Sequence, residues 1–429
     1  MQQRNHIVGM GTGIGALLVA AAMLGGCGGG SASTAQAPSG AAPTGGAPPT
    51  AVVQAEKSDS PVDPAIVAAD NAFGLSLLNT LIPGDSGNVA ISPISVALAL
   101  QIVYNGAAGT TQQAMAQTLQ LGSLDTQTLN SDNAALQASL LNPDPKVQLT
   151  IANSLWMHLS NNPVSASFTQ ADETYYGATL GDLSGAPANV NAWVAGETHD
   201  LITQILPQAD YNLVVAVIAN TIYFKGQWST AFDPTLTAAA PFTLSDGTQA
   251  SVDMMHQTGT YPYLRGADFQ AIRIPYGQGR LSMLIVLPDS SSSLSRFVAG
   301  MTTGELNSWT AQLQTLYGSI ALPRFTSTYG ASLPSALSSL GMGIAFCASN
   351  AADFSALAPN TCISDVEHKT VVEVDESGTV AAGATTVTVS PTIAQVPQFT
   401  VTMDHPFFYA IQDDKTGELL FIGVLMNPG

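Results

Sequence analysis

The segment Thr370 to Pro391 constrains this chain most, because it holds one strand, a bend and a second strand-competent run. Thr370-Val371-Val372-Glu373-Val374 is rich in β-branched residues and reads as a strand. Asp375-Glu376-Ser377-Gly378 is a polar bend. Thr379-Val380-Ala381-Ala382-Gly383-Ala384 is all small or slim, and Thr385 to Ser390 alternates with period two. One face would carry Ala381, Gly383, Thr385, Val387 and Val389; the more polar one would carry Ala382, Ala384, Thr386, Thr388 and Ser390. Pro391 stops the run, since it cannot donate to a ladder. No charge occurs from Gly378 to Met403. The segment is either an ordinary strand plus loop or a loop that can become a strand. In the second reading, Ala381 to Ala384 would slide between two strands with little steric cost.

Helices precede this segment. Asp63-Pro64 pairs a capping side chain with a first-turn proline, and Ile66, Phe73, Leu77 and Leu81 then share a face until Pro83-Gly84-Asp85. Ser92-Pro93 starts a second helix in the same way, running to Asn105-Gly106. Thr110 with Gln113 makes a capping box for a third. Strands are expected at Val214–Phe224, Leu281–Leu287, Thr370–Val374, Phe407–Ile411 and Leu419–Leu425. No internal repeat is evident. The pattern is α+β with large, mostly antiparallel sheets, and 429 residues suffice for one large domain or two ordinary ones.

Charge excludes several partners. The formal net charge is −19, and only 10% of residues are Asp, Glu, Lys or Arg. Such a chain repels nucleic acid, heparin-like polyanions and anionic headgroups, and no basic cluster reverses this. Catalytic motifs fail as well. Gly84-Asp85-Ser86-Gly87 mimics the nucleophile motif of trypsin-like proteases, but the only upstream histidine is His6, so a plain turn is the better reading. The other histidines (His158, His199, His256, His368, His405) do not pair at metal-ligand spacing. Gly9, Gly11 and Gly13 open no βαβ unit. Neither a metal nor a cofactor is expected, and an inhibiting or binding protein fits better than an enzyme.

The amino terminus reads as a targeting segment: Arg4, then an apolar glycine-rich run, Ile7 to Leu24, too short and loose for a transmembrane helix. Leu24-Gly25-Gly26-Cys27 resembles a bacterial lipoprotein lipobox. That resemblance implies removal of residues 1–26 and lipidation of Cys27; the alternative is an ordinary secretory signal with a chance cysteine. Gly28 in place of Asp points to the outer membrane. Residues 27–62 are Ala, Gly, Pro, Ser and Thr with almost nothing large and apolar, a disordered tether reaching on the order of 30 Å. The folded domain is expected over 63–429. Cys347 and Cys362 remain as an even pair, either bridged or two separate buried thiols. A bridge would close a loop of about 16 residues, a gain of roughly 3 kcal/mol in the chain-entropy model.

The run Glu376-Ser-Gly378-Thr379-Val-Ala381-Ala382-Gly383-Ala384 resembles the hinge of inhibitory serpins. Further segments are similar to the same family: Asn88 to Ser95, Asn220-Thr-Ile-Tyr223-Phe224-Lys225-Gly226-Gln-Trp228 with Phe232, Val252 to Met255, Leu284 to Pro288, Leu340-Gly341-Met342 with Asp353-Phe354-Ser355, Asp404 to Phe407, and Gly417 to Pro428. The resemblance covers about Pro61 to Pro428. It implies three mostly antiparallel β-sheets, eight or nine helices and an exposed reactive loop. It also implies a suicide mechanism. A serine protease attacks the loop, and the cleaved loop inserts into the main sheet of a metastable native state while the acyl-enzyme persists. Ser92, Ser95, Asn220 and His368 match the family's shutter, where the sheet parts. Trp228, Arg324 and Glu376 match its breach, with an Arg324–Glu376 ion pair expected.

Counting the family's loop length from Glu376 puts the attacked bond at Thr392-Ile393, within two or three residues. No Lys or Arg lies between Lys369 and Lys415, and no aromatic from Asp375 to Gln398. Elastase-like or subtilisin-like enzymes are therefore the expected targets, with a papain-like cysteine protease also compatible. The rival readings are a non-inhibitory serpin-like surface binding protein, a hydrolase and a structural surface lipoprotein. A monomer is expected, although an open sheet also permits loop-swapped polymers.

Overall fold

The computed structural model describes residues 61–84, 87–160, 162–290, 292–379 and 396–429. The expected signal and tether, Cys27, Asp85, Ser86, the hinge residues Ala381 to Ala384 and the Thr392-Ile393 bond lie outside the described residues.

The chain opens with helices set by local caps. At α1 (Pro64–Leu81) the Asp63 carboxylate accepts from the Ala65 N–H and Pro64 occupies the first turn. After β1 (Val89–Ile91), α2 (Pro93–Tyr104) is capped by the Ser92 hydroxyl, which accepts from the Ser95 N–H. At α3 (Gly109–Thr118) the expected capping box is not formed: the N-cap is Ala108, with no side-chain bond. The helix start is pinned from outside instead. The Ala108 N–H donates to the Asp353 carbonyl, and the Asp353 N–H donates to the Thr111 hydroxyl. α4 (Thr126–Leu140) follows, capped by Asp125.

Then come β2 (Val147–Met157), α5 (Ala166–Tyr175), β3 (Thr179–Asp182), α6 (Ala188–Glu197) and β4 (Ala216–Gln227). The run β5 (Ala238–Thr243), β6 (Gln249–Arg265), β7 (Phe269–Tyr276) and β8 (Leu281–Pro288) leads to α7 (Leu294–Ala299) and α8 (Thr303–Gln312). The chain closes with β9 (Gln314–Pro323), β10 (Phe325–Ser332), α9 (Pro334–Leu337), β11 (Asp365–Val374), β12 (Gly378–Thr379), β13 (Phe399–Thr402), β14 (Phe407–Asp413) and β15 (Leu419–Leu425). Nine α-helices thus occur among the described residues.

The strands form a six-stranded sheet, β10-β11-β12-β4-β2-β3, and a nine-stranded one, β1-β15-β14-β8-β7-β6-β9-β13 with β5 beside β6. The three sheets expected are hydrogen-bonded as two because the 17-residue β6 belongs to both parts of the larger one. Its first residues pair with β5, its middle with β9 and its last three with β7. Pairing is mostly antiparallel; β11–β4, β2–β3 and β13–β9 are parallel.

The core lies between the sheets. α2 packs on β15 of one and on β2 and β4 of the other, which is why all of its residues are buried. Phe224 of β4 meets Tyr276 of β7 and Phe421 of β15 edge-on, and Phe325 of β10 meets Phe407 and Tyr409 of β14.

This core also holds acids. Asp70 of α1, Asp413 of β14 and Glu418 are fully buried. The Gln101 amide donates to Asp70 Oδ1 at 2.9 Å, and Arg280 pairs with Asp413 at 2.9 Å. Asp70 Oδ2 and both Glu418 oxygens have no hydrogen-bond partner among the described residues. Burial pushes the Asp70 and Glu418 carboxyls above their ordinary range, and at Glu418 the charges of Asp70 and Asp413 add to it. A raised carboxyl keeps its proton in the native state while the unfolded chain loses it. Stability contributed by the pair therefore falls as pH rises above about 4. Glu418→Gln removes the Glu418 share of this titration and leaves that of Asp70. Thermal midpoints at pH 5 and pH 8 should differ less in the variant than in the wild type; equal differences would mean that Glu418 does not titrate there.

Candidate functional site

The six-stranded sheet is closed at one end and parted at the other. At the closed end β11 pairs directly with β4, in parallel, from Asp365↔Val217 to Lys369↔Thr221. At the other end β12 sits between them, antiparallel to both: Thr379 pairs with Val374 of β11 and Gly226 of β4, and Gly378 with Gln227. Among the described residues nothing pairs 370–373 of β11 with 222–225 of β4. β11 alternates along its length, with Val366, His368, Thr370, Val372 and Val374 buried. It begins five residues earlier than its β-branched run predicts, because His368 counts as an inward residue.

Local chemistry explains the bend before β12. The Asp375 carboxylate accepts from the N–H groups of Ser377 (2.7 Å) and Gly378 (3.0 Å), an Asx turn. Gly378 has φ +151°, and a Cβ there would lie 2.0 Å from the Gly226 carbonyl oxygen, so only glycine fits.

Glu376 anchors the bend. Its carbonyl accepts from the Phe232 N–H at 2.8 Å. Its carboxylate takes both Arg324 Nε, at 2.8 Å to each oxygen, and Nη2 at 2.6 Å, and also accepts from the Thr237 hydroxyl. Burial alone would push this carboxyl up; the hydrogen bonds from Arg324 and Thr237 outweigh it and hold the group below its usual range. Trp228 reinforces the bend twice, its N–H donating to the Ser377 carbonyl and its indole N–H to the Asp375 carbonyl, each at 2.9 Å. The three residues matched to the breach, Trp228, Arg324 and Glu376, thus meet around one turn.

Sequence reasoning missed Tyr276. Its ring stacks on Trp228 at 4.4 Å and its hydroxyl lies 2.7 Å from Thr379 Oγ1, in a fully buried position. A tyrosine in Pro275-Tyr276-Gly277 carries no sign of this by itself. Thr237 was missed for the same reason.

The second cluster lies under the closed end. Ser92, Ser95, Asn220 and His368 are all fully buried and mutually bonded. The Ser92 N–H donates to His368 Nε2 at 3.1 Å, so the ring's proton sits on Nδ1 and is donated to Asn220 Oδ1 at 2.7 Å. The Asn220 amide donates to the Ser95 carbonyl (2.7 Å), to Ser95 Oγ (2.6 Å) and to Asn153 Oδ1. Asn153, from β2, is a further member that was not read from the sequence. The network ties α2 to β2, β4 and β11 and has no place for a second proton on His368. Burial accordingly pushes that imidazole down to about 3.

Cys347 and Cys362 are bridged, with Cα atoms 4.9 Å apart, just before β11. No group of three metal-ligating side chains occurs among the described residues.

The family model Serpin (serine protease inhibitor) matches residues 68–428. Human leukocyte elastase inhibitor is 31% identical, covering 84% of this chain and 99% of its own. A serpin-like protein of Thermococcus kodakarensis is 34% identical over 85% of this chain and 86% of its own. Among solved structures, the thermophilic serpin tengpin in its native state superposes with TM-score 0.81 at 29% identity, covering 87% of this chain and 97% of that one. Human thyroxine-binding globulin complexed with its ligand gives 0.77 at 25% identity, covering 85% and 100%. The chain belongs to the serpin family. The residues expected at the family's shutter lie under the direct β11–β4 pairing, and those expected at its breach lie around the turn before β12.

The lowered His368 value has a pH consequence. The unfolded histidine binds a proton near pH 6.5 and the native one does not until about 3. Stability should thus fall by about 1.4 kcal/mol per pH unit below about 6.5. His368→Gln should start less stable at pH 7.5 yet lose less between pH 7.5 and pH 5. Urea midpoints of the first transition at both pH values test this; parallel losses would exclude His368 as the source.

Proposed function

We propose that this chain inhibits serine proteases as a suicide substrate. One observation carries the reading: Gly378 and Thr379 are seated between β11 and β4, so the sheet has admitted the first residues of an extra strand where the segment Thr379 to Ser390 begins. That segment is small, uncharged and alternating, as an inserting strand must be. The other end of the segment returns as β13, a parallel edge strand on β9 of the larger sheet, so the intervening residues run between two fixed anchors.

A protease serine attacks the Thr392 carbonyl, Ile393 leaves as a new amino terminus, and an ester holds the enzyme. Insertion then adds roughly ten hydrogen bonds at about 1 kcal/mol net each, beyond the apolar area it buries. Elastase-like and subtilisin-like enzymes are the proposed targets, since no basic or aromatic residue is near the bond; similarity to leukocyte elastase inhibitors supports this choice. The Leu24-Gly25-Gly26-Cys27 motif supports export and anchoring through a lipidated Cys27, with residues 28–62 as tether, at the cell envelope.

Mixing the protein with pancreatic elastase, subtilisin and trypsin, followed by denaturing electrophoresis, tests the reading. An SDS-resistant band near the summed masses is expected with elastase or subtilisin and not with trypsin. Clean cleavage near Thr392 without that band would favour a non-inhibitory binding protein. Thr379→Arg places a charge against buried Tyr276 and should convert inhibitor to substrate, lowering complex yield at least tenfold. Unchanged trapping by the variant would rule out insertion as the mechanism.

A further inference from the structure

We infer that the Cys347–Cys362 disulfide is a redox-controlled brake on opening of the six-stranded sheet. The inference rests on the insertion reading and concerns its regulation. A strand that enters between β11 and β4 must separate their direct pairs one after another, ending at Asp365↔Val217. Immediately below that last pair lies a clasp built on one residue. Ser364 donates its N–H to the Ala216 carbonyl at 2.9 Å. Its hydroxyl oxygen accepts from the Val215 N–H at 2.9 Å and from the Ala216 N–H at 3.4 Å. Three bonds from the residue before β11 thus hold the start of β4.

The disulfide sets this clasp. Ser364 follows Ile363, which is laced to the 345–347 segment: the Ile363 N–H donates to the Ala345 carbonyl and the Cys347 N–H to the Ile363 carbonyl. Cys362 is bonded to Cys347, and Cys347 Sγ lies 3.4 Å from Ser364 Oγ. A disulfide sulfur carries no hydrogen, so here the serine hydroxyl is the donor. Its proton points at sulfur, leaving both oxygen lone pairs for the N–H groups of Val215 and Ala216. A dithiol reductant cleaves the S–S bond, delivering two electrons and two protons and closing to a disulfide itself. The resulting Cys347 thiol competes as a donor for Ser364 Oγ, and the loop over 347–362 loses its cross-link. Both cysteines are partly exposed, so a dithiol reaches them.

The test uses the full chain and no protease. A labelled peptide copying residues 379–390 is incubated with it, and incorporation is followed on native gels. Reduction by a dithiol should raise the rate of incorporation about tenfold. Ser364→Ala should raise it with the disulfide intact, and Cys347→Ser/Cys362→Ser should match the reduced protein and ignore dithiol. Equal rates in oxidised, reduced and Ser364→Ala protein would overturn the brake while leaving insertion standing. Failure of the peptide to enter any form, even on mild heating, would overturn the insertion reading and the brake with it.

Discussion

The contact between β11 and β4 is the interaction on which the rest of this structure depends. It is a short parallel pairing at one end of a sheet whose other strands are paired along most of their length. A parallel pair is slightly weaker per residue than an antiparallel one, and this one stops at Lys369↔Thr221, with β12 between the two strands only at the top. Such a sheet is under-paired relative to what its strands permit. Three groups of side chains flank the parting: the hydrogen-bonded cluster of Ser92, Ser95, Asn220 and His368 beneath, Ser364 at the base, and the Glu376 turn at the top.

These three devices differ in kind. The buried cluster is neutral and satisfied, which makes it stiff and intolerant of an added proton. The Glu376 turn relies on a charge pair whose Arg324 side is 42% exposed, so its strength is moderated by solvent, and backbone bonds from Trp228 and Phe232 share the work. The base is held by a hydroxyl oriented by sulfur. The bonds left unmade between β11 and β4 lie between the Lys369↔Thr221 pair and the residues that β12 contacts.

Much of the site was legible because it depends on local chemistry. Asp63 and Ser92 cap helices by reaching two or three residues along the chain, and Asp375-Glu376-Ser377-Gly378 must bend whatever surrounds it. The Leu281–Pro288, Phe407–Asp413 and Leu419–Leu425 strands are mostly apolar, buried along their whole length, and stand out by composition. β2, β9 and β10 did not, since residues such as Asn153, Ser154, Thr326 and Ser327 blur their alternation. Those polar residues are inward or at edges for tertiary reasons: Asn153 meets Asn220, and Ser154 bonds the Ala219 carbonyl and the Trp156 indole.

The sequence by itself determined the family, the α+β class, the run of small residues from Thr379 to Ala384 and the absence of basic or aromatic groups near the expected bond, because each is written in contiguous residues or in what the chain lacks. Only the tertiary structure decided that Tyr276 receives Thr379, that Asp353 rather than a capping box starts α3, and that Ser364, in contact with bridged Cys347, bonds to the start of β4. Each of those joins groups tens to hundreds of residues apart, and a hydrogen bond requires its donor and acceptor to be within about 3 Å in the correct orientation, a condition that no local pattern in a chain can express.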